Sequence, residues 1–267
     1  MLGPIYEMLE ILCSQRGVSG REGAVGQQVT EMLRPFVPDA AYRDGSVYAK
    51  LGDDPEKPTL LFCAHLDQVG FLVTDITEDG FLRIGAVGGI DNRLLLGQQV
   101  KVVCKSQILE GVISILPPHV LSGEQAVPED GQLCVDLGFS SADELKGIVS
   151  RGDAVYYSTV PKVLCGGMVT APALDDRCGI AALIRTAEIL SEQENLSCNV
   201  VFAFSGQEER SGRGAKLAAA ICEPDYAIAV DVTFGMAHGE DPSECMTLGK
   251  VLRSAFPLHS IFRSPMR

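Results

Sequence analysis

The chain changes rhythm twice along its length, and no other feature constrains its fold as tightly. Between about residues 70 and 165, short runs of alternating polarity (70–73, 81–86, 99–104, 108–115 and 153–157) are separated by Gly, Pro and Asp turns. That spacing predicts a small β-barrel or sandwich, and only 141–146 reads as helical there. Before it, Ile5, Met8, Leu9 and Leu12 recur at helical spacing. Ser19 with Glu22 reads as a capping box for a second helix carrying Val25, Val29, Met32 and Leu33, which Pro35 helps to end. Strands are expected at 47–51 and 59–64. After the β stretch come a helix at 176–192, a strand at 199–204, a helix at 212–222 and a strand at 226–231. Strand–helix–strand alternation implies an α/β fold with a mostly parallel sheet flanked by helices. The expected organisation is an α/β domain formed by residues 1–68 and 166–267, interrupted by a β domain over 69–165.

Three of these strands end in groups that bind metals or move protons. TLLFCAHLD delivers His65 and Asp67, VVFAFSGQEE delivers Glu208 and Glu209, and YAIAVDV delivers Asp231. A fourth acidic pair, Asp175 and Asp176, stands just before a helix. In open α/β sheets ligands collect at the carboxyl ends of the strands, so four such endings converge on one edge. A histidine among carboxylates, with no cysteine ligand, suits Zn2+, Co2+ or Mn2+. The carboxylates outnumber what one catalytic zinc uses, and a bridging aspartate between two ions roughly 3.5–4 Å apart would account for the surplus. One glutamate of the pair would then bind metal while its neighbour takes a proton from water.

Composition narrows the partners. Apolar residues make up 46% and charged residues 21%, as in a folded globular protein, and the net charge of −13 argues against nucleic acid or an anionic membrane. Nine cysteines occur singly with no CxxC pair, which reads as small buried apolar residues in a reducing compartment. The amino terminus carries Glu7 and Glu10 and no basic start, so no signal peptide is expected. No run approaches the roughly 18 apolar residues that span a bilayer. A cytoplasmic location is the expectation.

The motifs AHLDQVGF, ALDDRCG, SGQEERSGRGA and AVDV occur in this order, with GVSGRE near the start and LPPH at 116–119. On these residues, from about 5 to about 250, the chain resembles the cytosolic co-catalytic metallo-aminopeptidases called glutamyl, deblocking or tetrahedral aminopeptidases. Some of that family carry the label cellulase or endoglucanase. The resemblance implies His65 and Asp231 as ligands of one metal, Asp175 as the bridge, Glu209 as a ligand of the second metal and Glu208 as general base. Asp67 would hold the His65 ring. The implied reaction is attack of a metal-activated hydroxide on the first peptide bond of a peptide substrate. It also implies a di-metal aminopeptidase-like fold whose insert is a small β-barrel used for dimerisation, with dimers assembling into hollow tetrahedral dodecamers.

Two departures from the family pattern stand out. Gln68 occupies a position where the family usually has Glu. The family also places a further metal-binding histidine downstream, in a stretch this chain lacks. After MTLGK the remaining residues, VLRSAFPLHSIFRSPMR, hold three arginines and no acid, which reads as a frameshifted or truncated end. His119, His238 and His259 are the histidines left, in the insert, a Gly-rich loop and this tail. Without a replacement the second metal keeps only Asp175 and Glu209, so at most one tightly held ion and weak activity are expected, with an inactive remnant as the alternative. A glycosidase needs two carboxylates flanking the scissile bond, about 5–9.5 Å apart. Adjacent glutamates on an extended segment fit that poorly.

Overall fold

The computed structural model describes residues 3–115 and 132–233, together with 235, 239, 241, 245 and 246. His119, His238, His259, the LPPH segment and the tail after Lys250 lie outside the described residues. The first layer opens with α1 (Pro4–Ser14) and α2 (Gly23–Leu33), followed by β1 (Ala41–Arg43), β2 (Ser46–Leu51) and β3 (Thr59–His65). A barrel follows, built from β4 (Gly70–Ile76), β5 (Leu82–Val87), β6 (Gln99–Val103), β7 (Ile108–Ser114), β8 (Cys134–Asp136) and β9 (Ala154–Tyr157), with the short α3 (Ala142–Leu145) before its last strand. A small hairpin, β10 (Lys162–Val163) and β11 (Val169–Thr170), leads back to α4 (Leu174–Ser191). The chain then runs through β12 (Asn199–Ser205), α5 (Glu208–Ser211), α6 (Arg213–Cys222) and β13 (Tyr226–Ala229).

The open sheet has the order β1-β2-β12-β3-β13. Its centre, β12, is buried along all seven residues, as a strand covered on both faces must be. Side-chain alternation sorts that strand between two layers. Val200, Phe202 and Phe204 pack with Leu12, Val29, Ile180 and Ile184 under α1, α2 and α4. Val201 and Ala203 pack on Tyr48, Leu61 and Ala218 against α6.

The sheet is mixed, and the expectation of a mostly parallel one is corrected here. β12 pairs parallel with β3, and β13 pairs parallel with β3, but β12 pairs antiparallel with β2, and β2 antiparallel with β1. The cause is connection length. A parallel return needs a crossover of about a dozen residues or more, whereas residues 52–58 reverse the chain from β2 into β3, and β12 lies between those two strands, parallel to β3 and therefore antiparallel to β2. The β1–β2 hairpin turns on Asp44 and Gly45, both at positive φ (53° and 78°), the Asp-Gly geometry of a tight two-residue turn.

The barrel closes in the order β4-β5-β8-β7-β6-β9, every neighbouring pair antiparallel. Phe71, Leu82, Val100, Val102, Ile113, Val135 and Val155 fill its interior. All nine cysteines are free, but Cys165 is exposed and only Cys13 and Cys104 are buried, so the thiols are not uniformly core residues. Among the described residues no helix is long and apolar enough to cross a membrane.

Candidate metal centre

Register brings the chemistry to one edge. Ser205 of β12 lies opposite His65 of β3, and Leu66 N–H donates to the Ser205 carbonyl at 2.7 Å. The two strands therefore end together, and their exits form adjoining turns. The turn after β12 passes through Gly206, where a Cβ would strike the Gly45 carbonyl, and through Gln207 at φ 59°. It opens α5, so Glu208 and Glu209 begin a helical turn and not the extended segment expected from sequence.

Two buried carboxylates hold that turn. Asp67 accepts from the backbone N–H of Glu208 at 2.9 Å through one oxygen and of Glu209 at 3.0 Å through the other. Glu22 Oε1 accepts from Gly20 N–H at 2.7 Å and from Gln207 N–H at 3.0 Å. The capping-box expectation is thereby corrected: Glu22 itself is the N-cap of α2 without a side-chain cap bond, and its carboxylate serves a turn far along the chain.

His65 is 4% exposed, and its Nδ1 lies 3.1 Å from the backbone carbonyl of Asp67 and 3.6 Å from the Asp67 carboxylate. A carbonyl only accepts, so Nδ1 carries the proton and Nε2 faces the site. Nε2 sits 2.8 Å from Asp175 Oδ1 and 3.9 Å from Asp231 Oδ1. One donor atom from each of His65, Asp175 and Asp231 lies within 4.8 Å of the others. Asp231 reaches the group from two residues beyond β13. The Asp175 and Asp231 side chains are 57% and 50% exposed, so a buried imidazole forms the floor and two carboxylates open to solvent form the rim.

Asp176, joined to Asp175 by a cis peptide, points the other way and is fully buried. It accepts from the His65 N–H at 3.2 Å and the Gly179 N–H at 3.0 Å. Glu209 is not part of the close trio: its Oε2 lies 3.0 Å from where a Cβ on Gly88, just beyond β5, would stand. Glu208 is exposed at the start of α5.

Charge is concentrated here. Burial alone would lower the His65 pKa, but Asp67, Asp176 and Asp175 outweigh it and push it up to about 10. Burial would raise Asp67, yet His65 and the N–H groups of Glu208 and Glu209 hold it below its ordinary value. Asp176 is pushed up to about 7 by burial, against the pull of His65. Glu209 is pushed up to about 7 by burial and then by Asp175. An imidazole nitrogen and two convergent carboxylates, with solvent on the open side, fit a divalent ion held by three protein donors with one position free.

Of the residues expected at the site, His65, Asp175 and Asp231 come together. Asp67 supports the turn beside them, and Glu208 and Glu209 flank the group. Sequence reasoning assigned no role in the site to the carboxylate of Glu22 or to Arg177. Both sit inside the motifs GVSGRE and ALDDRCG, and that membership was their only signal.

Together these features define an α/β protein with a metal-binding type of imidazole–carboxylate cluster at the carboxyl edge of its sheet. A family model described as M42 glutamyl aminopeptidase matches residues 45–254, and the chain belongs to that family. A putative aminopeptidase from Acetivibrio thermocellus is 31% identical over 230 residues, covering 86% of this chain and 66% of its own. The structure of an aminopeptidase from the archaeon Desulfurococcus kamchatkensis matches with a TM-score of 0.85 and 32% identity, over 92% of this chain and 68% of that one. The TET1 peptidase of Pyrococcus horikoshii, described as assembling into a tetrahedron or a large octahedral shell, matches with a TM-score of 0.79 and 36% identity, over 87% and 70%. The chain thus spans about two thirds of the length of the curated relatives it matches, 66% and 62% in two of them.

Proposed function

We propose that this chain is a metal-dependent aminopeptidase that removes amino-terminal residues from peptides. The convergence of His65, Asp175 and Asp231 beside the Glu208–Glu209 turn is the observation that carries it. His65, Asp175 and Asp231 would hold one divalent ion, Zn2+, Co2+ or Mn2+. When bound, that ion supplies Lewis acidity to the scissile carbonyl and acidifies a water. Glu208 is the general base, its carboxylate taking the proton of the attacking water and returning it to the departing amine nitrogen. Asp67 fixes where that carboxylate stands by holding the two N–H groups of the turn. Glu209 lines the side facing Gly88 and is the residue toward which a second ion would bind.

The same reading divides the chain into a catalytic unit of residues 1–68 and 166–267 and a barrel unit of 69–165. Copies pair through the barrel, as dimers and then as a dodecamer, in the cytoplasm. Ile108 and Val112, exposed on β7, suit such a face. The test is hydrolysis of aminoacyl p-nitroanilides with added Co2+ or Zn2+. Hydrolysis that requires the ion, spares amino-terminally acetylated substrate and falls by about 10^2–10^4 in Glu208→Gln is expected. A chain that binds the ion yet hydrolyses no free-amine substrate would overturn the reading.

A further inference from the structure

Arg177 is the largest side chain that the described part of the protein buries completely. Arginine is almost never fully buried unless it is paired, and each nitrogen of this guanidinium has a hydrogen-bond partner. Here Nε donates to the Leu12 carbonyl at 3.3 Å, Nη1 to the Leu66 carbonyl, and Nη2 to Gln68 Oε1 at 3.3 Å. All three acceptors are neutral; burial opposes the charge, and the carboxylates of Asp67 and Asp176 favour it from beyond hydrogen-bonding contact. The space is shaped for it: a Cβ on Gly17 would come within 3.3 Å of Nη2 and 3.5 Å of the Leu66 carbonyl.

The acceptors lie in places that matter. Leu66 follows His65 directly, Gln68 lies three residues past it, and Leu12 is in the last turn of α1. Arg177 itself follows Asp175 and Asp176. One rigid, planar fork therefore ties the turn that carries His65 to the turn that carries Asp175, and anchors both to α1. The direct link between those turns on the ligand side is the contact of His65 with Asp175 and the bond from His65 N–H to Asp176. Loss of the fork would leave that side to set the spacing alone.

We propose that Arg177 is a positioning residue for the His65–Asp175–Asp231 cluster, clamping turn 65–68 to turn 175–176 and so setting the separation of the metal-binding atoms. This rests on the reading of that cluster as a metal site. Lysine cannot reproduce it, because a single ammonium on a flexible stem does not span three acceptors in one plane.

The test measures Co2+ binding by calorimetry and the visible absorption of the Co2+-loaded chain, alongside melting of the metal-free protein. Arg177→Lys and Gln68→Met are compared with Ile113→Ala, a barrel-core substitution remote from the cluster. We expect Arg177→Lys to weaken Co2+ binding about 10–100-fold and shift the absorption bands, as loss of supporting groups around metal ligands does. Gln68→Met, which removes one acceptor and leaves the core filled, should weaken binding several-fold. Ile113→Ala should lower the melting temperature while Co2+ affinity stays at the level of the unsubstituted chain. Unchanged affinity and spectrum in Gln68→Met and in a folded Arg177→Lys would overturn the positioning role and leave the metal reading intact. Equal weakening in Ile113→Ala would show general destabilisation and overturn it as well. Failure of the unsubstituted chain to take up Co2+ removes both.

Discussion

Loading the site with a divalent ion should expel protons, because the carboxylates around His65 hold its ring protonated. In the metal-free protein His65 holds its proton up to about pH 10, because Asp67, Asp175 and Asp176 surround a ring that burial alone would deprotonate. At pH 7 the ring is thus fully protonated, and a metal that takes Nε2 must displace one proton. Glu209, pushed up to about 7, is half protonated at that pH and adds up to about half a proton if it joins the ligands. The expected release is about 1 to 1.5 protons per ion. Calorimetric titration with Zn2+ or Co2+ in buffers of different ionisation enthalpy measures it as the slope of observed heat against buffer heat. Apparent affinity should also rise with pH, by up to about thirtyfold per unit near pH 7 if Glu209 joins the ligands and about tenfold per unit near pH 9, where only His65 still gives up a proton. The metal-free fold behaves in the opposite sense. A histidine whose pKa is raised on folding stabilises fully below its unfolded value of 6.5 and loses that contribution as pH rises through about 10. A slope near zero at pH 7 would mean that His65 is neutral without metal, and that its contact with Asp175 is not an ion pair.

Three further outcomes follow from the turns around the site. Asp67→Asn leaves one acceptor for two backbone N–H groups and sets an NH2 against the other, which should cost about 1–3 kcal/mol in urea unfolding; an unchanged midpoint would refute the anchoring role. Glu22 is raised by burial, so its charged form is the disfavoured one in the fold, and Oε1 alone accepts both its backbone bonds. Glu22→Gln keeps that oxygen, and its melting temperature relative to the unsubstituted chain should rise from pH 4 to pH 8; a fall over that range refutes the assignment. Gly88 has φ +88° and no room for a Cβ beside Val69 and Glu209 Oε2. Gly88→Ala should therefore lower stability by about 1–2 kcal/mol and weaken Co2+ uptake more than the equally left-handed but open Gly147→Ala does.

Much of this was legible in the chain because burial imposes period. The continuous apolar run of β12 announces a strand covered on both faces, and the short alternating runs of β6 and β7 announce a small barrel or sandwich with one wet face. Strand direction was not legible in the same way. It depends on whether residues 52–58 have room for a crossover, which is a matter of distance in space. β8 was missed since three residues are too few to show any period. The trio was readable as residue types, two at strand ends and Asp175 at a helix start. The supports were legible only in part: Asp67 stood out beside His65, but a carboxylate such as Glu22 looks like a local cap until its partner, Gln207, arrives 185 residues later.

The doubled acids acquire a physical sense from this. Glu22, Asp67 and Asp176 are 3%, 0% and 0% exposed, and a bare carboxylate so placed would cost several kcal/mol. Each instead accepts two backbone N–H bonds, from Gly20 and Gln207, from Glu208 and Glu209, and from His65 and Gly179. Their job is to hold loop backbone that no strand or helix partner satisfies. Asp175 and Asp231 are half open; Asp231 Oδ1 accepts the neighbouring Val232 N–H, at 2.7 Å, and Asp175 Oδ1 meets His65 Nε2, so both carboxylates face the site and not distant backbone. In the Asp175–Asp176 pair the two tasks fall on neighbours, one facing solvent and one facing backbone. An acidic edge of this kind can be both rigid and reactive because the acids that build it are not the acids that bind. Substitutions at Glu22, Asp67 or Asp176 should therefore be read in stability first, and those at Asp175 or Asp231 in metal uptake first.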